Sequence, residues 1–122
     1  ELHRRGTPMV LATSKPQVFA RQIVAHFGLE RYFTYVGGSE LDGSRSDKQE
    51  LILHGLEQIG RGQEPRDHLL MVGDRRFDME GAKKLGAHSV GVLYGFGSRQ
   101  ELTQAGATYL VQRPEEILAL VD

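Results

Sequence analysis

The stretch HLLMVGDRRFDMEGAKKLG, His68 to Gly86, decides how this chain folds. It opens on an apolar run, stops at Gly73 and Asp74, and continues as a segment of small, apolar and charged residues that stops at Gly86. An apolar run of that length bounded by glycine predicts a buried strand, and the segment after it predicts a helix with glycine just past its end. One acid therefore stands at the strand's carboxyl end, and a second, Asp78, stands one helical turn later.

The same strand-then-helix unit recurs on both sides. Upstream, PMVLATS predicts a strand and PQVFARQIVAHFG a helix, with Pro16 in its first turn and Gly28 just past its end. YFTYVGG predicts a second strand. SDKQELILHGLEQIG predicts a helix opening on a capping box of Ser46 with Gln49, with Leu51, Ile52, Leu56 and Ile59 on one face. Downstream, HSVGVL predicts a fourth strand and SRQELTQAG a short helix with a second capping box, Ser98 with Glu101. ATYLV predicts a fifth strand and RPEEILALV a closing helix with Pro114 in its first turn. Strands alternating with helices imply parallel strands joined by crossovers, and apolar strands imply a sheet covered on both faces. The expected class is an open α/β sheet, with GGSELDGSRS as its mobile loop. The opening ELHRRGTPM reads as the last turn of a helix already under way, and the chain as part of something longer.

Bulk properties narrow the function. At 122 residues the chain has the size of one domain, small for a complete enzyme. A net charge of -1 argues against binding nucleic acid or an anionic membrane. No apolar run approaches the roughly 20 residues of a membrane span. With no cysteine there is neither a disulfide framework nor a thiolate zinc site, and the expected setting, a reducing cytoplasm, is compatible with that.

In open α/β sheets ligands bind beyond the carboxyl ends of the strands. Thr13, Ser14 and Lys15 follow the first strand, Gly73, Asp74 and Arg75 follow the third, and Lys48 opens a helix. Structural roles are open to each. Thr13 and Ser14 suit a helix cap, Asp78 suits a helix N-terminus, and Lys48 is tolerable in a first turn if its ammonium reaches water. Asp74 is the hardest to explain structurally. With Asp78 it offers the hard oxygen ligands that Mg²⁺ takes alongside phosphate oxygens and water. Hydroxyl, ammonium and paired acids together suit the binding and polarising of a phosphoryl group.

These residues carry a resemblance. VLATS, the Lys48 of SDKQELI, and MVGDRRFD resemble the second, third and fourth motifs of haloacid dehalogenase-superfamily phosphatases, most closely the phosphoglycolate-phosphatase-like members. GVLYGFGSRQELTQAGATYLVQRPEEIL is similar to their C-terminal part. The resemblance covers nearly the whole chain, residues 1–122, as the C-terminal half of a core domain. It implies a three-layer α/β/α, Rossmann-like sheet of parallel strands and Mg²⁺-dependent hydrolysis of a small phosphorylated metabolite through an aspartyl-phosphate. Thr13 would bind the phosphoryl group, with Ser14 as a further contact, and Lys48 would neutralise it and the nucleophile. Asp74 would be a metal ligand, with Asp78 supporting the metal directly or through water.

The departure from the family pattern is equally informative. The family's first motif, two aspartates two residues apart followed by Thr or Ser, does not occur in the sequence. The resemblance places that motif, the nucleophile and the helical cap upstream of Glu1, on a strand lying between the first and third strands here. A phosphomutase of the same superfamily shares the remaining motifs. A non-catalytic phosphate-binding or interaction domain shares the fold. A receiver-type signalling domain has similar residues in another order, acids first and Thr and Lys later, which disfavours it.

Overall fold

The computed structural model describes residues 1–44 and 47–121 and divides into two compact units, Glu1–Gln63 and Glu64–Asp122. In the first, β1 (Val10–Pro16) leads into α1 (Gln17–His26), and β2 (Tyr35–Ser39) precedes α2 (Lys48–Gln58). In the second, β3 (Leu70–Gly73), α3 (Arg76–Leu85), β4 (His88–Val92), α4 (Arg99–Gln104) and β5 (Tyr109–Val111) follow in turn. All strand pairing is parallel, as the alternating pattern requires. Among the described residues the strands form two ladders, β1-β2 and β3-β4-β5, so β1 and β3 are both edge strands.

Strand alternation explains how the first unit is layered. Leu11 and Val36, paired in register, point to one face and pack with Ala20 and Val24 of α1. Their sequence neighbours Val10 and Tyr35 point to the other face, where α2 lies. A Cβ on Gly55 of α2 would stand 2.6 Å from Val10 Cγ1, and Tyr35 meets the His54 ring edge-on. This unit is therefore a small α/β/α sandwich. Helix α1 ends at His26 with Phe27 as its cap, and Gly28 just beyond it takes a φ of +67° that suits the reversal there.

In the second unit Val90 and Val92 of β4 pack with Val111, Leu70 and the closing segment's Ile117 and Leu120. The intervening Gly91 faces α4, where a Cβ would stand 3.0 Å from Leu102 Cδ1. Ser89, 2 % exposed, is satisfied by a reciprocal pair: its N–H donates to Thr108 Oγ1 at 3.0 Å, and Thr108 N–H donates to Ser89 Oγ at 3.2 Å.

Several expectations are corrected. The closing segment is a 3₁₀ helix, Pro114–Leu120, not an α-helix. A three-residue turn places Ile117 and Leu120 on one face, toward the core they fill. The second strand begins at Tyr35, after a 3₁₀ turn at Glu30–Tyr32. Burial on both faces holds for most of β2 and β4, but Val72 of edge strand β3 is 40 % exposed. Gly37 to Ser39, the start of the loop expected to be mobile, belong to β2, and residues 40–44 close a turn in which Asp42 accepts from Ser44 N–H at 2.9 Å. The Ser46–Gln49 capping box and the rest of that loop lie outside the described residues. The opening segment contains one helical turn, with Arg5 N–H donating to Glu1 O at 3.0 Å.

Candidate functional site

In the first unit the candidates meet at the carboxyl end of β1. Thr13 is half-buried, and its Oγ1 accepts from Lys15 N–H at 3.2 Å. Neither Thr13 nor Ser14 caps α1, whose N-terminus is formed by Pro16 with no side-chain cap. The structural role open to both hydroxyls is thus not the one they play. Ser14 is exposed, and its carbonyl accepts from the buried Ser39 Oγ at 2.9 Å, which ties the turn to β2. Gly38 makes that turn possible, because a Cβ there would lie 2.5 Å from Lys15 O and 2.7 Å from Gln17 Cα.

Lys48 is the first residue of α2, yet its ammonium does not simply extend into water. It is half-buried and donates to Ala12 O at 2.9 Å, one residue before Thr13. A cation at a helix N-terminus is mildly unfavourable, and the carbonyl dipole of β1 offsets this. The first unit therefore brings Lys48 and Thr13 to one strand end.

In the second unit Asp74 and Asp78 share the β3–α3 turn. Asp78 is 8 % exposed, accepts from Arg75 N–H at 3.3 Å and lies under Gly73, where a Cβ would stand 2.1 Å from its Oδ2. Only glycine at position 73 leaves room for that carboxylate. Asp74 is half-buried and gripped by the loop after β4. Its Oδ2 accepts from Phe96 N–H at 3.0 Å, and its carbonyl accepts from Gly97 N–H at 2.8 Å. Gly95 and Gly97 are forced by the same contact: Cβ atoms there would stand 2.3 Å from Asp74 Cβ and 2.1 Å from Asp74 O.

Motif reading passed over this glycine loop, though YGFGS carries a visible signal in two glycines around one aromatic. It also misplaced Glu101. Ser98 Oγ does accept from Glu101 N–H at 3.0 Å, the first half of the expected box. The Glu101 carboxylate instead reaches α3, accepting from Arg76 N–H at 2.9 Å and Arg75 Nε at 3.0 Å. Those bonds, the Arg76 amide first, hold its pKa below the ordinary glutamate value.

Among the described residues no three His, Asp or Glu side chains cluster as a metal set. The donor chemistry of the β3–α3 turn still suits a hard cation. Asp74 spends Oδ2 on Phe96, and among the described residues nothing hydrogen-bonds its Oδ1. Asp78 is committed to the turn itself, which suits support more than sole ligation.

The sequence pattern of the family described as haloacid dehalogenase-like hydrolase matches residues 1–92. The chain belongs to the haloacid dehalogenase-like hydrolases. Relatives carry the likeness across the chain. It is 51 % identical over 98 residues to a 5'-nucleotidase of Pseudomonas aeruginosa, covering 80 % of this chain and 43 % of that protein. It is 32 % identical over 113 residues to a phosphoglycolate phosphatase of Neisseria gonorrhoeae, covering 93 % of this chain and 45 % of that one. A crystal structure of a predicted phosphatase from Clostridium acetobutylicum superposes with a TM-score of 0.90 at 43 % identity, covering 98 % of this chain and 54 % of that one. The chain thus spans about half the length of the haloacid dehalogenase-like relatives it matches. Among the described residues no helix is long and apolar enough to cross a membrane.

Proposed function

We propose that the complete protein is a Mg²⁺-dependent phosphomonoester hydrolase whose nucleophilic aspartate lies outside residues 1–122. The observation that carries this reading is Lys48, whose ammonium is drawn from a helix N-terminus to the carbonyl beside Thr13. That bond keeps the ammonium next to Thr13, which suits an anionic group bound at this strand end. The substrate is a small phosphorylated metabolite; phosphoglycolate and nucleoside monophosphates are the first to test, since the relatives' names point to both. The setting is cytoplasmic, with which the lack of cysteine is compatible.

The roles follow from each group's free valences. Thr13 Oγ1 already accepts from Lys15, which leaves its own proton to donate to a phosphoryl oxygen. Exposed Ser14 supplies a second contact, and Lys48 offsets charge that grows as the carboxylate nucleophile attacks phosphorus. As the phosphorus–ester oxygen bond breaks, the oxygen departs with a proton from the second aspartate that the resemblance places in the family's first motif. This leaves an aspartyl-phosphate that water then cleaves to inorganic phosphate and free aspartate. Asp74 would hold Mg²⁺ with Asp78 supporting the turn behind it, and the ion would neutralise phosphate charge and orient the group. In the complete protein Asp74→Asn should abolish most Mg²⁺-dependent phosphate release with little change in metal-free melting temperature. Wild-type turnover of that variant at ordinary Mg²⁺ would remove Asp74 from the site.

A further inference from the structure

The β3–α3 turn is held from outside as well as from within. Asp78 fixes the amide of Arg75, and Gly97 and Phe96 fix the carbonyl and one carboxylate oxygen of Asp74. The remaining hold comes from α4. Glu101 Oε2 accepts from the Arg76 amide and from Arg75 Nε together. It does two things at once. It satisfies one of the amides that every helix leaves orphaned at its start, on a helix whose own N-cap residue, Arg75, makes no side-chain cap bond. It also neutralises a guanidinium carried by the residue next to Asp74.

As an ion pair this contact is weak, since the side chains of Arg75 and Glu101 are 47 % and 26 % exposed and water screens them. Its consequence lies in where it keeps the charge. An Arg75 guanidinium released from Glu101 has the neighbouring Asp74 carboxylate to turn to, at the Oδ1 that Phe96 leaves open. A cation seeking Asp74 would then compete with a tethered one.

We infer that Glu101 is a positioning residue for Asp74: it fixes the first turn of α3 and holds Arg75 away from the carboxylate that takes the divalent cation. The inference rests on the reading of Asp74 as a Mg²⁺ ligand, and adds a residue from another helix that sets the affinity of that ligand. Carboxylates that hold a ligand's surroundings typically change metal affinity 10- to 100-fold when removed.

The test uses the complete protein and Mg²⁺ binding followed by titration calorimetry, beside the Mg²⁺ dependence of phosphate release. Glu101→Gln keeps an acceptor for the Arg76 amide but loses the charge that holds Arg75. It should weaken Mg²⁺ binding by at least about tenfold while kcat at saturating Mg²⁺ stays near wild type. Adding Arg75→Ala to that variant should return Mg²⁺ affinity to within about threefold of wild type, since the competing cation is gone. A merely structural Glu101 would not be rescued by deleting Arg75. Arg75→Ala alone, which keeps Glu101 on the Arg76 amide, should bind Mg²⁺ as tightly as wild type or tighter. Asp74→Asn is the control. If it loses Mg²⁺ binding while Glu101→Gln binds as wild type, or the double variant stays weak, the positioning role is overturned and the metal reading stands. If Asp74→Asn binds Mg²⁺ normally, the metal reading falls and takes this inference with it.

Discussion

At the scale of single residues, Lys48 and Glu101 differ in how far a sequence can expose them. Lys48 stands out locally, because a cation in a first helical turn opposes the helix dipole. The structure supplies the reason in Ala12 O, 2.9 Å away. Replacing Lys48 by Ala in the complete protein should lower kcat/KM by at least about 10²-fold, the loss typical of one electrostatic stabiliser. A hydrogen bond from a charged group, worth about 1.5 to 3 kcal/mol, is lost while a dipole penalty of a few tenths is relieved, so stability should fall by no more than about 3 kcal/mol. Normal kinetics with a large fall in melting temperature would return Lys48 to a structural role. Glu101 gave a local signal that absorbed it wrongly: three residues after Ser98, it fits a capping box. Its partners lie 25 and 26 residues back along the chain, beyond the reach of any spacing rule. Because its folded pKa is lowered, Glu101 contributes stability above its ordinary value of 4.5, and that contribution is lost as pH falls through the lower folded value. The melting-temperature gap between wild type and Glu101→Gln should therefore be constant near neutrality and close below about pH 4.5. A gap that persists unchanged into acid would mean the charge does not stabilise α3.

At the scale of elements, the glycines separate two kinds of necessity. Gly86 ends α3 at φ +75°, with Ala87 N–H donating back to Ala82 O at 2.9 Å. A Cβ there meets nothing closer than Arg66 Cβ at 4.0 Å, so Gly86→Ala suffers backbone strain alone, about 1 kcal/mol. Gly38 lies outside the positive-φ region, but its Cβ would strike backbone at 2.5 Å and 2.7 Å. Gly38→Ala should therefore cost more, about 1 to 3 kcal/mol, and should displace the Thr13–Lys15 turn. Chemical denaturation should rank Gly38→Ala as the more damaging, and only that variant should lose kcat. The reverse ranking would show that β2 and the turn yield easily. Gly86 was legible because helix-ending glycine has a fixed place after a periodic run. Gly38 was not, because close approach between segments leaves no mark in the chain's own pattern. The closing segment shows the same limit: RPEEILALV fits a helix, and only packing of Ile117 and Leu120 selects the tighter 3₁₀ turn.

At the scale of the molecule, alternation of strands and helices was enough for the parallel α/β class, but strand neighbours are not encoded in any local period. The edges β1 and β3 emerge only from the ladders themselves. Each pairs on one side alone among the described residues, and β3 carries Val72 40 % exposed in an otherwise apolar run. Unpaired amides and carbonyls beside exposed apolar side chains are a template for association. A strand added beside either edge, of the kind the resemblance implies, would satisfy that edge. Residues 1–122 expressed alone should therefore self-associate or unfold without a sharp transition, and should hydrolyse no phosphomonoester, since the Asp-x-Asp motif is absent from them. Adding in trans a segment that carries such a strand should restore a monodisperse complex and a cooperative melt. Sedimentation, thermal unfolding and release of an aryl alcohol from its phosphate with Mg²⁺ measure the three parts. A compact monomer melting sharply without that segment would mean the two edges are tolerated as they stand. Turnover that co-purifies with residues 1–122 through successive columns would mean that an aspartate within them attacks phosphorus. Asp74→Asn and Asp78→Asn would then be the first variants to examine, since both acids sit on the turn that grips the site.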